Sequence, residues 1–295
     1  MCPSVHAETN CYLINECTNH RRDSSSGPSP GTQVKINPSA VPTDKGYGVE
    51  AIYYDSSADL SLIRGNGRMG AALSPSNSEQ TFFGAPGFEL PEDLYERKYD
   101  KEKYQSQKVT LAAAMDIAEK KGSGLRRYSL KAGAMAKYNK DTTTITPGAG
   151  LQAVWGPLTA GYSMYDDESR LNYGDGSQKT IKYRVQTYNV GVYLSSVILN
   201  YSHLHLENNE KNYLATVHLY TASLSLGKFI FTASQRVEDS PAPDYNYELK
   251  DLENKKIKYE HFGGIQYSLS KNFLLGVLYN YYLLREISVS GTLFF

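Results

Sequence analysis

The sequence predicts an all-β protein, a transmembrane antiparallel β-barrel of about 14 strands preceded by an N-terminal plug segment. Three observations predict this class. Segments that alternate apolar and polar residues recur from residue 46 onward, which is the period of a strand with one apolar face. The chain holds 25 Tyr and one Trp, and Tyr suits a membrane–water interface because its ring is apolar and its hydroxyl polar. Short turns alternate with longer connections, as in outer-membrane barrels.

Composition narrows the function classes. The 31 basic residues balance the 31 acidic ones, and a neutral chain argues against a nucleic-acid partner. No apolar run approaches the roughly 18 residues that a spanning helix needs. This excludes a helical membrane protein but not a barrel, whose strands expose only alternate residues to lipid.

The first residues resemble the end of a signal peptide. Val5 and Ala7 occupy the −3 and −1 positions of a cleavage site, so we interpret residues 1–7 as the remnant of a signal whose charged and apolar parts are missing. Cleavage there leaves two cysteines, Cys11 and Cys17, which could bridge in an oxidising periplasm. Their spacing is not a metal-binding pattern.

Residues 8–43 differ in composition from the rest of the chain. Residues 23–31 read DSSSGPSPG, a linker composition. We predict that residues 8–43 form a periplasmic or plug segment, and that residues 44–295 form the barrel.

The strand prediction follows the period-two alternation. In the best example Val109, Leu111 and Met115 oppose Lys108 and Asp116. Two segments change phase midway, which predicts either a bulge or a misplaced strand boundary; they are 181–194 and 211–225. The predicted strands are 46–54, 59–64, 67–75, 106–119, 125–138, 143–155, 157–165, 181–194, 196–206, 211–225, 228–237, 256–269, 272–284 and 286–295.

The connections fall into two alternating sets. One set is tight; the other contains the long, charged stretches 76–105, 166–180 and 238–255. An even strand number then places both termini at the short-turn, periplasmic end. Tyrosines near the strand ends are expected to face lipid as girdle residues: Tyr128, Tyr138, Tyr165, Tyr259, Tyr267 and Tyr281. Charges on the opposite faces carry both signs, which predicts ion pairs within the lumen: Lys108, Asp116, Arg127, Lys131, Lys137, Lys258 and Glu260.

The final strand alternates in the same way and ends on Phe295. It resembles the closing strand of a bacterial outer-membrane β-barrel. The resemblance implies recognition by the barrel assembly machinery, and a location among outer-membrane lipid and lipopolysaccharide. The alternative is an edge strand of a soluble sandwich.

Asn37, Pro38 and Ser39 lie just before the first strand. Together with the leading segment of about forty residues and the strand number, they resemble the FadL-type family of transporters for long-chain fatty acids and other hydrophobic compounds. The resemblance implies that this segment is a hatch inside the barrel. The chain departs from the family in its shorter length, in Ser39 at the place of an Ala, and in the cysteines and Ser/Pro linker of the segment.

The long loop 76–105 contains an apolar group, Phe82, Phe83, Phe88 and Leu90. Exposed apolar clusters often mark binding surfaces, and in the resembled family such loops form a docking groove. The alternative is a loop that packs these side chains over the barrel mouth.

Candidate catalytic and metal residues are few. His203 and His205 share one strand face, and His218 follows on the next strand. They are fewer than a metal site needs, and the sequence has no nucleophile or phosphate-binding motif. We therefore expect no enzyme activity, no metal and no cofactor.

The functional hypothesis is passive uptake of a hydrophobic small molecule such as a fatty acid. The ligand would dock at the loop phenylalanines and pass when the hatch residues shift. The alternative is a plugged structural or interaction barrel that binds a surface or secretion partner.

Overall fold

The computed structural model describes residues 34–43, 45–54, 57–79, 106–120, 128–172, 178–194, 196–208, 213–239, 259–270, 272–280 and 287–294. These residues form one closed antiparallel barrel of 14 strands, which confirms the predicted barrel and its strand number. Each strand pairs with its neighbours in sequence. The strands are β1 Gly46–Tyr54, β2 Ser57–Gly65, β3 Met69–Glu79, β4 Ser106–Lys120, β5 Tyr128–Asn139, β6 Thr144–Trp155, β7 Leu158–Asn172, β8 Gln178–Leu194, β9 Val197–Asn208, β10 Tyr213–Leu226, β11 Phe229–Asp239, β12 Tyr259–Ser270, β13 Phe273–Asn280 and β14 Ile287–Phe294.

β1 and β14 close the barrel. Gly48 lies opposite Phe294, and the pairing continues to Tyr54 opposite Ser288. The final strand is therefore paired on both sides, and the barrel has no open edge. Among the described residues no helix is long and apolar enough to cross a membrane.

The barrel exposes large apolar side chains on its outer face and buries many polar side chains on its inner face, which is the reverse of a soluble protein. On β4, Leu111 is 57% exposed and Ile117 is 51% exposed, whereas Lys108 and Ala112 are each 1% exposed. Every one of the 14 strands carries exposed large apolar side chains. An apolar outer surface around a largely polar interior is the arrangement of a transmembrane barrel in an outer membrane.

One end of the barrel carries tight turns. Gly67, Gly156 and Gly227 have positive φ angles there, a conformation that glycine adopts without steric cost. β1 begins and β14 ends at this short-turn end, where the Gly67 N–H donates to the Thr43 carbonyl oxygen at 2.7 Å. The opposite end, which we call the long-loop end, carries the connection between Glu79 and Ser106.

Three sequence predictions are corrected and one is confirmed. The stretch 166–180 is not one loop, because β7 continues to Asn172 and pairs with β8 from Gln178. Charged residues lie on both faces where this extension begins, since Asp166 is exposed and Asp167 is buried in the lumen. β8 has no register shift, since its apparent phase change arises from apolar residues on the lumen face. β10 does shift register, between Tyr213 and Ala215. Tyr165 is 2% exposed and faces the lumen, so it is not a girdle residue.

Candidate ligand site in the barrel lumen

Asn37, Pro38 and Ser39 lie in a short, capped turn. The Asn37 side chain accepts hydrogen bonds from the Ser39 N–H at 3.1 Å and from the Ser39 hydroxyl at 2.6 Å. This caps the 3₁₀ helix Pro38–Ala40, with Pro at its first position. All three residues are buried, and the turn contacts β4, β5 and β6. The segment 34–43 thus packs on the inner wall.

Three glycines on the wall form the slot for this segment. A Cβ atom added at Gly133 would overlap the Pro38 and Ser39 backbone, and one at Gly150 would overlap the Asn37 carboxamide oxygen. A Cβ at Gly70 would overlap the Pro42 carbonyl oxygen. Only residues without a side chain allow the two backbones to approach so closely.

Lys35 joins the segment to the wall electrostatically. Its Nζ lies 3.0 Å from Asp59 Oδ2 on β2, and the two side chains are 0% and 4% exposed. The Ser76 hydroxyl on β3 donates to the other carboxylate oxygen of Asp59. A buried cation is stable only when it is paired in this way.

A second charged group lies in the lumen toward the long-loop end. Lys108 Nζ lies 2.6 Å from Asp167 Oδ1, and Lys137 Nζ lies 3.4 Å from Asp167 Oδ2. Lys137 also lies 4.3 Å from the centroid of the Tyr165 ring, where a cation is attracted to the ring face. A third, longer pair joins Lys131 to Asp116 at 3.9 Å.

The lumen wall of β7–β10 carries a group of buried apolar side chains, which we call the apolar lumen patch. Its members are Tyr165, Val185, Leu204, Leu206 and Val217, each at most 2% exposed. Register places Leu204 opposite Val217 and Val185 opposite Leu206. Val34 and Ile36 of the N-terminal segment belong to the same apolar cluster. An apolar surface inside a barrel is a surface on which a hydrophobic molecule can lie.

The structure places some predicted site residues together and leaves others untested. Asn37, Pro38 and Ser39 lie on the inner wall, and the lumen-facing charges that it describes form ion pairs. Several predicted residues lie outside the described part of the chain, as do residues 1–33: Cys11, Cys17, Phe82, Phe83, Phe88, Leu90, Arg127, Lys258 and Tyr281. The side chains of Tyr259 and Glu260 are also not described.

The histidines lie on the outer face. The rings of His203 and His218 are 5.0 Å apart, and the row continues through Tyr188 to Tyr162. The described strands hold no group of three or more His, Cys, Asp or Glu side chains that could bind a metal. The row has the position of an aromatic girdle at the long-loop side of the belt.

The apolar lumen patch was missed by the sequence reasoning. The signal for it is the phase change in β8, where apolar residues occur on both faces of one strand. Alternation alone does not distinguish a shifted register or a misplaced strand boundary from a wall that is apolar on both sides.

No family model matches the chain, and no curated protein is similar to it. Solved structures similar in fold include a Pseudomonas aeruginosa FadL homologue, at 10% identity over 97% of each chain with a TM-score of 0.46. The CymD monoaromatic hydrocarbon channel is 8% identical over 90% of this chain and 91% of its own, with a TM-score of 0.45. The P. putida toluene transporter TodX is 8% identical over 91% of this chain and 94% of its own, with a TM-score of 0.44. At such low identities and scores these likenesses do not identify a ligand for this chain.

Proposed function

We propose that this protein is an outer-membrane barrel for passive uptake of hydrophobic small molecules such as fatty acids, with both termini in the periplasm. The observation that carries the proposal is the apolar lumen patch. The interior of a barrel that passes only water and ions is polar, whereas here five neighbouring positions of β7–β10 bury apolar side chains in the lumen.

The proposed route begins at the long-loop end and continues along the apolar lumen patch. A ligand enters from the long-loop end, where the loop phenylalanines Phe82, Phe83 and Phe88 form a first docking surface. It then lies on the apolar lumen patch in place of Val34 and Ile36. Passage follows when the segment around Asn37 shifts along its glycine slot, and the ligand's own gradient drives it.

The test is uptake by proteoliposomes with lipopolysaccharide in the outer leaflet and a trapped fatty-acid-binding protein inside. Labelled fatty acid should enter faster with the protein than without it. Leu204→Asp should lower this rate several-fold, because it puts a charge on the surface that holds the ligand. Outward-facing Leu199→Ala is the matched control and should transport normally. Uptake that the protein does not change would overturn the proposal.

A plugged structural or interaction barrel is the second candidate. The ion pairs favour it, since Lys35–Asp59 joins the segment to the wall and Lys108–Asp167–Lys137 joins three wall strands to one another. A folded barrel that transports nothing, yet whose loops bind a surface partner, would establish it. The rate of fatty-acid uptake therefore distinguishes the two candidates.

A further inference from the structure

The lumen wall of β6–β9 changes character along its length. Toward the long-loop end lies the apolar lumen patch. Nearer the short-turn end, six inward positions carry amides and hydroxyls, which we call the neutral polar patch: Gln152, Thr159, Ser163, Thr187, Asn189 and Ser202. The register shows that the two are contiguous, since Thr187 lies opposite Leu204 and Asn189 lies opposite Ser202.

The neutral polar patch is buried, and its side chains lack hydrogen-bond partners within the protein. Every member is at most 5% exposed. Both side-chain polar atoms of Gln152 and of Asn189 lack a hydrogen-bond partner, and so does at least one atom of each other member. A buried amide or hydroxyl without a partner is costly, so each such group calls for a partner from outside the wall.

Two pairs of hydroxyls on the neighbouring wall of β10 and β11 are satisfied within the protein. Ser223 and Thr232 hydrogen-bond to each other at 2.9 Å, and Thr221 and Ser234 do so at 3.0 Å. The six members of the neutral polar patch form no such pair, although the register places Asn189 opposite Ser202. The patch therefore differs from this hydroxyl-paired part of the lining.

The charges in and beside the neutral polar patch determine which kind of ligand group it can bind. None of its six members is a carboxylate or a cation. The nearest cation by register is Lys131, opposite Gln152, and it already faces Asp116 at 3.9 Å. A carboxylate placed on the patch would lose water without gaining an unpaired cation, whereas an amide or hydroxyl would find both donors and acceptors.

We propose that the neutral polar patch binds the uncharged hydrogen-bonding head group, a hydroxyl or primary amide, of a hydrophobic molecule whose chain lies on the apolar lumen patch. This inference rests on the proposed function and names its preferred ligand class. The boundary between the two patches fixes the direction of the ligand, with its head toward the short-turn end.

Competition against a photoreactive long-chain alcohol tests the inference, with purified full-length protein in detergent at pH 8. The competitors share one chain length: hexadecane, hexadecanol, hexadecanamide and hexadecanoate. Hexadecanol and hexadecanamide should displace the probe at about tenfold lower concentration than hexadecane and hexadecanoate. A factor of this size corresponds to one net hydrogen bond. Cross-links should map to β6–β9.

Variants separate the head-group site from the chain site. Asn189→Leu and Thr187→Val, which keep the number and branching of the side-chain heavy atoms, should remove the preference for hexadecanol over hexadecane and leave the affinity for hexadecane unchanged. Ser223→Ala, at a hydroxyl already paired with Thr232, is the matched control and should retain the preference.

The outcomes distinguish this inference from the proposed function. Equal displacement by all four competitors, with no effect of Asn189→Leu, would overturn the inference and leave hydrophobic uptake standing. Preference for hexadecanoate that disappears in Lys131→Met would also overturn it, in favour of an anionic head group. If the probe labels nothing in the lumen and no competitor binds, the proposed function fails as well.

Discussion

At the scale of single residues, Lys35 and Asp59 show how the N-terminal segment is held. Both are almost fully buried. Their attraction is strong where water is excluded, but each ion also lost its hydration. Replacing both residues by apolar side chains should therefore change the stability of the barrel little. Removing only one partner leaves an uncompensated buried charge, which is strongly destabilising.

Asp59→Asn should therefore lower the free energy of unfolding by about 3 kcal/mol, in the range for breaking one side of a buried pair. Asp166→Asn is the matched control, because it breaks an ion pair with Arg184 whose side chains are 40% and 48% exposed. That change should cost less than about 1 kcal/mol. Urea unfolding in phospholipid vesicles measures both.

The double variant Lys35→Met with Asp59→Asn completes this test. It should recover most of the stability that Asp59→Asn loses, because no buried charge remains unpaired. If Asp59→Asn costs no more than Asp166→Asn, the pair is not buried in the folded barrel.

At the scale of secondary-structure elements, the glycine slot determines where the N-terminal segment lies. Gly70, Gly133 and Gly150 lie on β3, β5 and β6, and each faces the backbone or carboxamide of residues 37–42. Glycine weakens a strand because it has no side chain to pack. The strands retain it here because any Cβ would exclude the segment.

Gly133→Val should displace the segment without opening the barrel. The amides of Ser39, Ala40 and Val41 donate hydrogen bonds within the turn, so they should lose protection from hydrogen exchange. Gly263→Val is the control, since its Cβ would meet no atom within 4 Å on the outer face of β12. Unchanged protection of residues 34–43 in a folded Gly133→Val barrel would contradict the slot.

At the scale of the whole molecule, the apolar belt determines how the barrel lies in the bilayer. Trp155 is 59% exposed at the end of β6, next to the short turn at Gly156. Aromatic residues at this position sit at the membrane interface. As the chain contains a single Trp, its fluorescence reports one depth.

Lipids brominated close to the head group should quench Trp155 more strongly than lipids brominated deep in the chain. In the double variant Trp155→Phe with Leu151→Trp the order should reverse. Leu151 is also outward-facing, at 49% exposure, and four residues along a tilted strand carry it about 10 Å toward the bilayer centre. Equal quenching at both depths in both proteins would contradict the position of the belt.

The sequence by itself determined the barrel. Alternation gave the strand number and most strand ends to within a few residues, because in a transmembrane strand lipid selects every second side chain directly. The pairing of lumen charges followed from the same alternation. The capped turn at Asn37-Pro38-Ser39 is encoded locally by Asn and Pro, whereas its role as a hatch stays a prediction.

Only the tertiary structure decided what faces the lumen and what lies against it. The sequence does not show whether the side chains of Tyr165, Val185 and Leu204 face the lipid or the lumen. The register of β7–β10 decides that they face the lumen. The partner of Lys35 and the role of Gly133 depend on where the segment crosses the wall. These contacts join residues far apart in sequence, and no local pattern records them, because closure of the barrel is what brings them together.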